Sequence, residues 1–184
     1  MLLISINQPD FDVEISLAYA TPDNITQSPI YHHAHCYLHK EAGEKLKYAI
    51  QLAKVLGYRF KIFDAFRPSE AQWVLWNKNP DPNFLADPRR GSPHSRGVAI
   101  DLTLLDQDNK ELDMGTKFDE FSPLSHHGNL SISEIAQKNR AILLGIMTAA
   151  GWDFYRNEWW HYQLFNSRYY PLISDKALPK GLMS

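Results

Sequence analysis

The apolar residues of this chain follow two periods. Two stretches repeat them at every third or fourth position, as helices packed on a core do, and these span residues 40–56 and 134–150. Gly57 and Gly151 follow directly, where glycine commonly ends a helix. Ser131 or Ser133 can cap the second of these helices, and we expect its apolar stripe to include Ile135.

Extended segments are predicted where apolar and polar side chains alternate, or where aromatic and β-branched residues cluster. They cover residues 58–63, 98–105, 152–155 and 159–165. Residues 106–110 have the composition of a turn, and we expect residues 111–114 to pair back as a short strand. Arg156 and Asn157 supply the turn between the last two strands.

A further helix is predicted over residues 69–76, because Pro68 suits a first turn and an Asn-Pro cluster follows at Asn79. Residues 77–93 are rich in Pro, Asp and Asn, which predicts a long surface loop. Helices and strands do not alternate as βαβ units. We therefore predict an α+β fold, with helices flanking a mostly antiparallel central sheet, in one domain over residues 1–184.

Composition narrows the class of protein. The 184 residues are 44% hydrophobic, enough for a sizeable core. The 19 basic and 21 acidic side chains are interspersed, so we expect no nucleic-acid or membrane partner, but a small molecule. No long uncharged apolar run predicts a transmembrane helix. The N-terminal residues lack signal-peptide features and Cys36 is the single cysteine, which favours the cytoplasm.

Two motifs carry the residue types of a metal hydrolase. Residues 92–101 read Ser-Pro-His-Ser-Arg-Gly-Val-Ala-Ile-Asp, and residues 158–161 read Glu-Trp-Trp-His. A catalytic zinc takes three protein ligands and leaves one position for water, and His94, Asp101 and His161 supply suitable ligand types. The motifs therefore predict a hydrolase with one Zn²⁺ per chain.

Glu158 remains as the base of the predicted site. Zinc lowers the pKa of bound water from about 15.7 towards about 7, so a nearby carboxylate can take the proton while hydroxide attacks a carbonyl. Glu158 and His161 would face opposite ways on a regular strand, so we place Glu158 in the preceding turn. Asp101 stands between Ile100 and Leu102, where a buried carboxylate without a partner would be costly.

A second group of possible ligands lies in residues 32–36, which read His-His-Ala-His-Cys. We do not expect a metal site there, because neighbouring histidines at this spacing cannot all converge on one ion. Cys36 and His35 are also an unsuitable nucleophile and base, since adjacency does not orient them and no third member is evident.

The two motifs, together with residues 64–68 (Asp-Ala-Phe-Arg-Pro), resemble those of the D-alanyl-D-alanine dipeptidases associated with vancomycin resistance. Their order and spacing match, and further similarity lies in residues 19–24, 114–119 and 125–127. The resemblance implies a hedgehog/D,D-peptidase-like fold and hydrolysis of free D-alanyl-D-alanine to two D-alanines.

The resemblance implies the same three metal ligands and Glu158 as the catalytic acid and base. It adds Arg67, whose guanidinium would stabilise the tetrahedral oxyanion beside the metal. Taken alone, Arg67 could instead pair with Asp64 or with a helix end.

Tyr19, Ser92 and Asp119 match positions that, in the family, surround the amino group of the substrate. Each also has a structural alternative: Tyr19 could pack, Ser92 could cap a turn, and Asp119 could be a solvated charge. We expect the pair at residues 126–127, His-His, to support the site rather than bind metal.

Two departures from the family concern the rim of the site: Pro93 within the first motif, and an apparently shorter loop between Trp76 and Arg89. They leave substrate breadth open. The alternatives are a zinc D,D- or L,D-carboxypeptidase that trims peptidoglycan stem peptides, and a zinc-binding module without catalysis. The same ligands also accept cobalt or nickel. The oligomeric state, and a role in resistance or in D-alanine recycling, are not indicated.

Overall fold

The computed structural model describes residues 2–178 and 180–184. Within them the strands are β1 (Leu3–Ser5), β2 (Val13–Ile15), β3 (Tyr37–His39), β4 (Arg59–Asp64), β5 (Ala99–Leu105), β6 (Asp153–Phe154) and β7 (His161–Gln163). The α-helices are α1 (Lys40–Val55), α2 (Ser69–Lys78) and α3 (Glu134–Ala149). In the described part of the chain, every helix is too short or too polar to span a bilayer.

The central sheet has the strand order β2-β4-β5-β7-β6. The pairs β4–β5, β5–β7 and β6–β7 are antiparallel, whereas β2 pairs with β4 in parallel. Strands β1 and β3 form a separate antiparallel pair. The predicted α+β fold with a mostly antiparallel sheet is confirmed.

The predicted helices lie within two residues of their observed bounds. Ser133, rather than Ser131, caps α3, because its hydroxyl accepts a hydrogen bond from the Ala136 amide at 3.1 Å. The expected place of Ile135 in the apolar stripe is wrong. Its side chain is 53% exposed, so it lies outside the buried face of α3.

Two strand predictions need correction. Residues 111–114 form only an isolated bridge, between Leu105 and Glu111, because the side chain of Asp113 accepts a bond from the Gly115 amide at 2.8 Å and turns the chain away. The last two strands are also shorter than expected. Strands β1, β2 and β3 were not predicted, since three residues are too few to show a period.

The sheet brings the two motifs together. In the β5–β7 pairing Asp101 lies opposite His161, and in the β4–β5 pairing it lies opposite Asp64. All seven residues of β5 are buried. A 3₁₀ turn, His94–Arg96, leads into β5 through Gly97, which has a φ of 69°. A Cβ at Gly97 would lie 2.4 Å from the Leu3 side chain, so this approach requires glycine.

Candidate active site

Three side-chain atoms converge near the N-terminal end of β5. Nε2 of His94 lies 3.3 Å from Oδ1 of Asp101, and Nδ1 of His161 lies 3.0 Å from the same oxygen. The two ring nitrogens are 3.1 Å apart. Ligands at about 2.0–2.1 Å from a tetrahedral zinc lie about 3.3 Å from one another. The three atoms therefore have nearly the spacing of three corners of such a site.

The outer nitrogens of both imidazoles have acceptors. Nδ1 of His94 donates to the Ala65 carbonyl at 2.7 Å, and Nε2 of His161 donates to Oε1 of Gln163 at 3.1 Å. These bonds leave the lone pairs of the inner nitrogens directed at each other beside a carboxylate. Unless a proton or a cation lies between them this arrangement is repulsive, and two imidazoles beside a carboxylate are a donor set that fits a divalent metal.

Asp101 stays ionised although it is only 2% exposed. Burial raises the pKa of this carboxyl group, but His94 and His161 outweigh burial and hold the pKa below its usual range. Nη2 of Arg67 also lies 3.5 Å from Oδ2. The carboxylate is buried as the sequence predicted, but it has partners in the protein.

Glu158 lies in the turn before β7, as predicted, and its side chain is buried. Its Oε2 is 3.8 Å from Nδ1 of His161. Burial raises the pKa of Glu158 well above its ordinary value, the negative charges of Asp101 and Asp119 add to that effect, and Arg67 opposes it. A carboxyl group in these surroundings has the basicity that a proton carrier needs.

Arg67 is held on three sides. Its Nε donates to Oδ2 of Asp64 at 2.8 Å, and its Nη1 donates to Oε1 of Gln72 at 2.9 Å. Its guanidinium stacks over the ring of Tyr19 at 4.9 Å. The side chain thus pairs with Asp64, as one of the alternatives from the sequence has it, and also lines the cavity.

The sequence did not single out Tyr31 and Gln72, which complete the surroundings of Arg67. The hydroxyl of Tyr31 donates to Oδ1 of Asp64 at 2.9 Å, and Nε2 of Gln72 donates to the Ala86 carbonyl at 2.8 Å. Tyr31 and Gln72 lie in no recognised motif, and only the tertiary contacts indicate their role.

Tyr19 and Asp119 form a hydrogen-bonded pair that also lines the cavity. The buried Tyr19 hydroxyl donates to Oδ2 of Asp119 at 2.9 Å. Burial raises the pKa of Asp119 to about 7, Arg67 opposes this, and Asp101 adds to it. Ser92 is buried and its Oγ accepts from the His94 amide at 3.2 Å, so the turn-capping alternative applies to it.

All eight predicted site residues line one cavity of about 240 Å³, which is smaller than the roughly 300–1,000 Å³ typical of pockets for drug-sized ligands. The loop after α2 contributes a wall that faces Phe121 and Tyr155. The remaining lining residues are Pro82, Phe84, Leu85, Ala86, Pro93, Trp160 and Gln163.

Among the described residues, the group of three or more potential metal ligands that converges is His94, Asp101 and His161. The histidines of residues 32–36 do not form such a group. The rings of His33 and His35 stack with centroids 6.0 Å apart, and Cys36 is buried.

Comparisons with known proteins agree along most of the chain. Residues 3–178 match the Peptidase M15 family model, described as D-ala-D-ala dipeptidase. The D-alanyl-D-alanine dipeptidase of Escherichia coli is 46% identical over 165 residues, which are 90% of this chain and 86% of that protein. The enzyme of the same name from Enterococcus faecalis is 34% identical, over 82% of this chain and 85% of its own length.

A solved structure of the LD-carboxypeptidase LdcB superposes with a TM-score of 0.50. It is 19% identical, and the match covers 89% of this chain and 67% of that one. At this identity the likeness concerns the fold alone.

Proposed function

Because the chain belongs to the D-alanyl-D-alanine dipeptidase family of M15 peptidases, we propose that it hydrolyses the free dipeptide D-alanyl-D-alanine to two D-alanines with the aid of one Zn²⁺. The observation that carries the proposal is the convergence of three metal-ligand atoms beside a buried carboxyl group and a fixed guanidinium. A single domain over residues 1–184 and a cytoplasmic location stay predictions.

His94, Asp101 and His161 would hold the metal through Nε2, Oδ1 and Nδ1. Two imidazoles and a carboxylate suit zinc, and they also accept cobalt or nickel. When bound, zinc would act as a Lewis acid and lower the pKa of a water molecule.

Glu158 would take a proton from the attacking water and pass it to the amine that leaves. Its support is its position, with Oε2 3.8 Å from a proposed ligand atom, and a buried environment that favours the protonated form after the transfer. The other two carboxyl groups that line the cavity are less suited to transfer this proton, because Asp101 contacts both imidazoles and Asp119 accepts the Tyr19 hydroxyl.

Arg67 would stabilise the negative charge that develops on the carbonyl oxygen of the scissile bond. The bonds to Asp64 and Gln72 fix the guanidinium before substrate binds, so little reorganisation is needed during the reaction. A fixed donor of this kind contributes about 3–4 kcal/mol to the transition state.

Asp119 would bind the ammonium group of the free dipeptide, with Tyr19 holding its carboxylate and Ser92 shaping the adjacent turn. A carboxylate is the natural partner of an ammonium group. The small cavity and the Asp119 carboxylate on its wall together favour a free dipeptide over longer or blocked peptides.

The test is hydrolysis of D-Ala-D-Ala by the zinc-loaded protein, measured beside L-Ala-L-Ala, N-acetyl-D-Ala-D-Ala and a stem pentapeptide. We expect cleavage of the free D,D-dipeptide. Glu158→Gln should lower kcat by about 10²–10⁴ while the metal content, measured by mass spectrometry, stays at one ion per chain.

Three other outcomes would count against the proposal. Cleavage of the blocked or longer substrates with a kcat/KM equal to or above that for the free dipeptide would assign a carboxypeptidase instead. No cleavage by a protein with bound zinc would favour a binding module. A Glu158→Gln variant with undiminished kcat would exclude Glu158 as the base.

A further inference from the structure

Arg140 in α3 is a buried cation that donates mainly to backbone carbonyls. It is 4% exposed, and among the described residues it has no carboxylate oxygen within 4 Å. Its Nε donates to the Met114 carbonyl at 2.7 Å, and its Nη1 donates to the carbonyls of Leu124 and His126 at 2.9 and 3.1 Å. Its side chain does not line the active-site cavity.

These bonds tie the two ends of one segment to the same helix. Residues 114–126 precede α3 in the chain and contact it at both ends, at Met114 on one side and at Leu124 and His126 on the other. The neighbouring Asn139 donates from Nδ2 to the Asp113 carbonyl at 2.8 Å, which strengthens the first attachment. The segment is therefore a closed loop whose ends are held by Arg140.

Asp119 lies in the middle of this loop. Its φ of 60° is uncommon for a residue other than glycine, and such a conformation persists only where its surroundings impose it. Among the described residues, the Asp119 side chain accepts hydrogen bonds only from Tyr19. The conformation of Asp119 therefore also depends on how the backbone of the loop is held at its ends.

The same loop contacts the turn that carries Glu158. The Trp159 amide donates to the Ser125 carbonyl at 3.1 Å, and the His127 amide donates to the Arg156 carbonyl at 2.9 Å. These two bonds bracket Glu158 on both sides along the chain.

A side-chain link runs parallel to these backbone bonds. Nε1 of Trp159 donates to Oγ1 of Thr116 at 2.8 Å, and Nη2 of Arg140 lies 3.4 Å from the same oxygen. The guanidinium of Arg140 also lies 5.8 Å from the centre of the Trp159 ring. Arg140, Thr116 and Trp159 thus join α3, the loop and the Glu158 turn.

We infer that Arg140 is a positioning residue that holds Asp119 and Glu158 in register with each other, an inference that rests on the proposed function. Through one loop it fixes both the group that binds the amine and the group that moves the proton. Lysine cannot replace it, because an ammonium on a flexible stem lacks the rigid fork of donors with which the guanidinium reaches three carbonyls.

The test compares Arg140→Lys with Leu143→Ala, which destabilises the same helix by removing a buried side chain one turn away. Both variants are studied as zinc-loaded proteins at a temperature where circular dichroism shows them folded. We expect Arg140→Lys to raise KM and lower kcat together, with kcat/KM down about 10- to 100-fold, since small displacements of reacting groups have effects of this size.

A second readout separates positioning from simple loss of stability. The preference for D-Ala-D-Ala over N-acetyl-D-Ala-D-Ala should decline in Arg140→Lys and persist in Leu143→Ala. Amide hydrogen exchange should also accelerate in residues 114–127 and 156–159 of the first variant only. Equal behaviour of the two variants in preference and in exchange would overturn the inference.

Thr116 supplies a milder probe in case Arg140→Lys does not fold. Thr116→Val removes the shared oxygen and should reproduce the direction of both changes, whereas Thr116→Ser keeps the oxygen and should restore the wild-type pattern. Failure of the proposed function is recognised separately, because the wild type would then not cleave the dipeptide, while the exchange measurement would still decide the role of Arg140.

Discussion

Asp119 shows how binding and stability compete at one residue. Burial and the nearby carboxylates of Asp101 and Asp64 raise its pKa, with Arg67 opposing, from 3.8 to about 7. Between these two values the folded protein retains a proton that the unfolded chain has released. Stability therefore falls as the pH rises from about 4 to about 7, and this loss is complete above the folded pKa.

We predict that Asp119→Asn stabilises the metal-free protein at pH 8 more than at pH 5, because the amide does not ionise and can still accept the Tyr19 hydroxyl. Denaturant unfolding of both proteins at the two pH values measures this difference. An equal effect at pH 5 and pH 8 would contradict the assigned titration.

The same substitution should weaken binding of the free dipeptide. A hydrogen bond to a charged group contributes about 1.5–3 kcal/mol, so KM for D-Ala-D-Ala should rise about 10- to 100-fold. Any slow cleavage of the N-acetylated dipeptide, which has no ammonium group, should be unchanged and serves as the control for Asp119→Asn.

The bonds to Asp64 and Gln72 fix the orientation of the Arg67 guanidinium. A lysine at this position would keep the positive charge but not the oriented donors. We predict that Arg67→Lys lowers kcat by about 10²–10³ with a smaller change in KM, since the lost donor acts in the transition state. The matched control is Arg59→Lys, at the start of the preceding strand β4, which should leave both constants unchanged. An Arg67→Lys enzyme with normal kcat would remove Arg67 from the oxyanion role.

At the scale of elements, the loop after α2, residues 79–93, is bound to two other segments that line the cavity. The Asn83 carbonyl accepts from the Tyr155 hydroxyl at 2.8 Å and from Nδ2 of Asn157 at 3.2 Å. The ring of Phe84 stacks on Phe121 at 4.7 Å. The loop that the sequence predicted from its composition is thus joined to segments that carry Glu158 and Asp119.

We predict that the double substitution Tyr155→Phe and Asn157→Ala loosens this wall. Two hydrogen bonds of about 1 kcal/mol each are lost, so proteolytic cleavage within residues 77–93 should accelerate by about 30-fold. The ratio of kcat/KM for a D-alanine tripeptide to that for the dipeptide should also rise. Tyr169→Phe, at a highly exposed residue, is the control, and an unaltered loop in the double variant would show that the two bonds do not restrain it.

At the scale of the whole molecule, the proposed metal site joins elements that are distant in sequence. His94 precedes β5, Asp101 lies within β5, and His161 begins β7. A cation held by all three would link these elements in the folded state only, so its binding free energy adds to stability.

We predict that chelation lowers the melting temperature. At a metal concentration about 1,000 times the Kd the stabilisation is about 4 kcal/mol, equivalent to about 8–16 °C in a domain of this size. His161→Ala should have a lower melting temperature that the chelator does not change. If the chelator shifts wild type and variant equally, the metal is held elsewhere.

The sequence by itself determined the three helices, the strands β4 and β5, the α+β class and the types of the site residues. These features are local, because helical and strand periods and turn residues are encoded within a few positions of one another. The two motifs also carried the ligand set, since their residue types suit one metal chemistry. The turn position of Glu158 followed from its three-residue spacing to His161.

Only the tertiary structure decided how those residues work together. The bonds of Tyr31 to Asp64, of Tyr19 to Asp119 and of Tyr155 to the loop after α2 join residues far apart in the chain. The bonds from Arg140 to three backbone carbonyls leave no trace in side-chain patterns. Such contacts depend on how packed elements meet in space, and the helical and strand periods of the sequence carry no information about that.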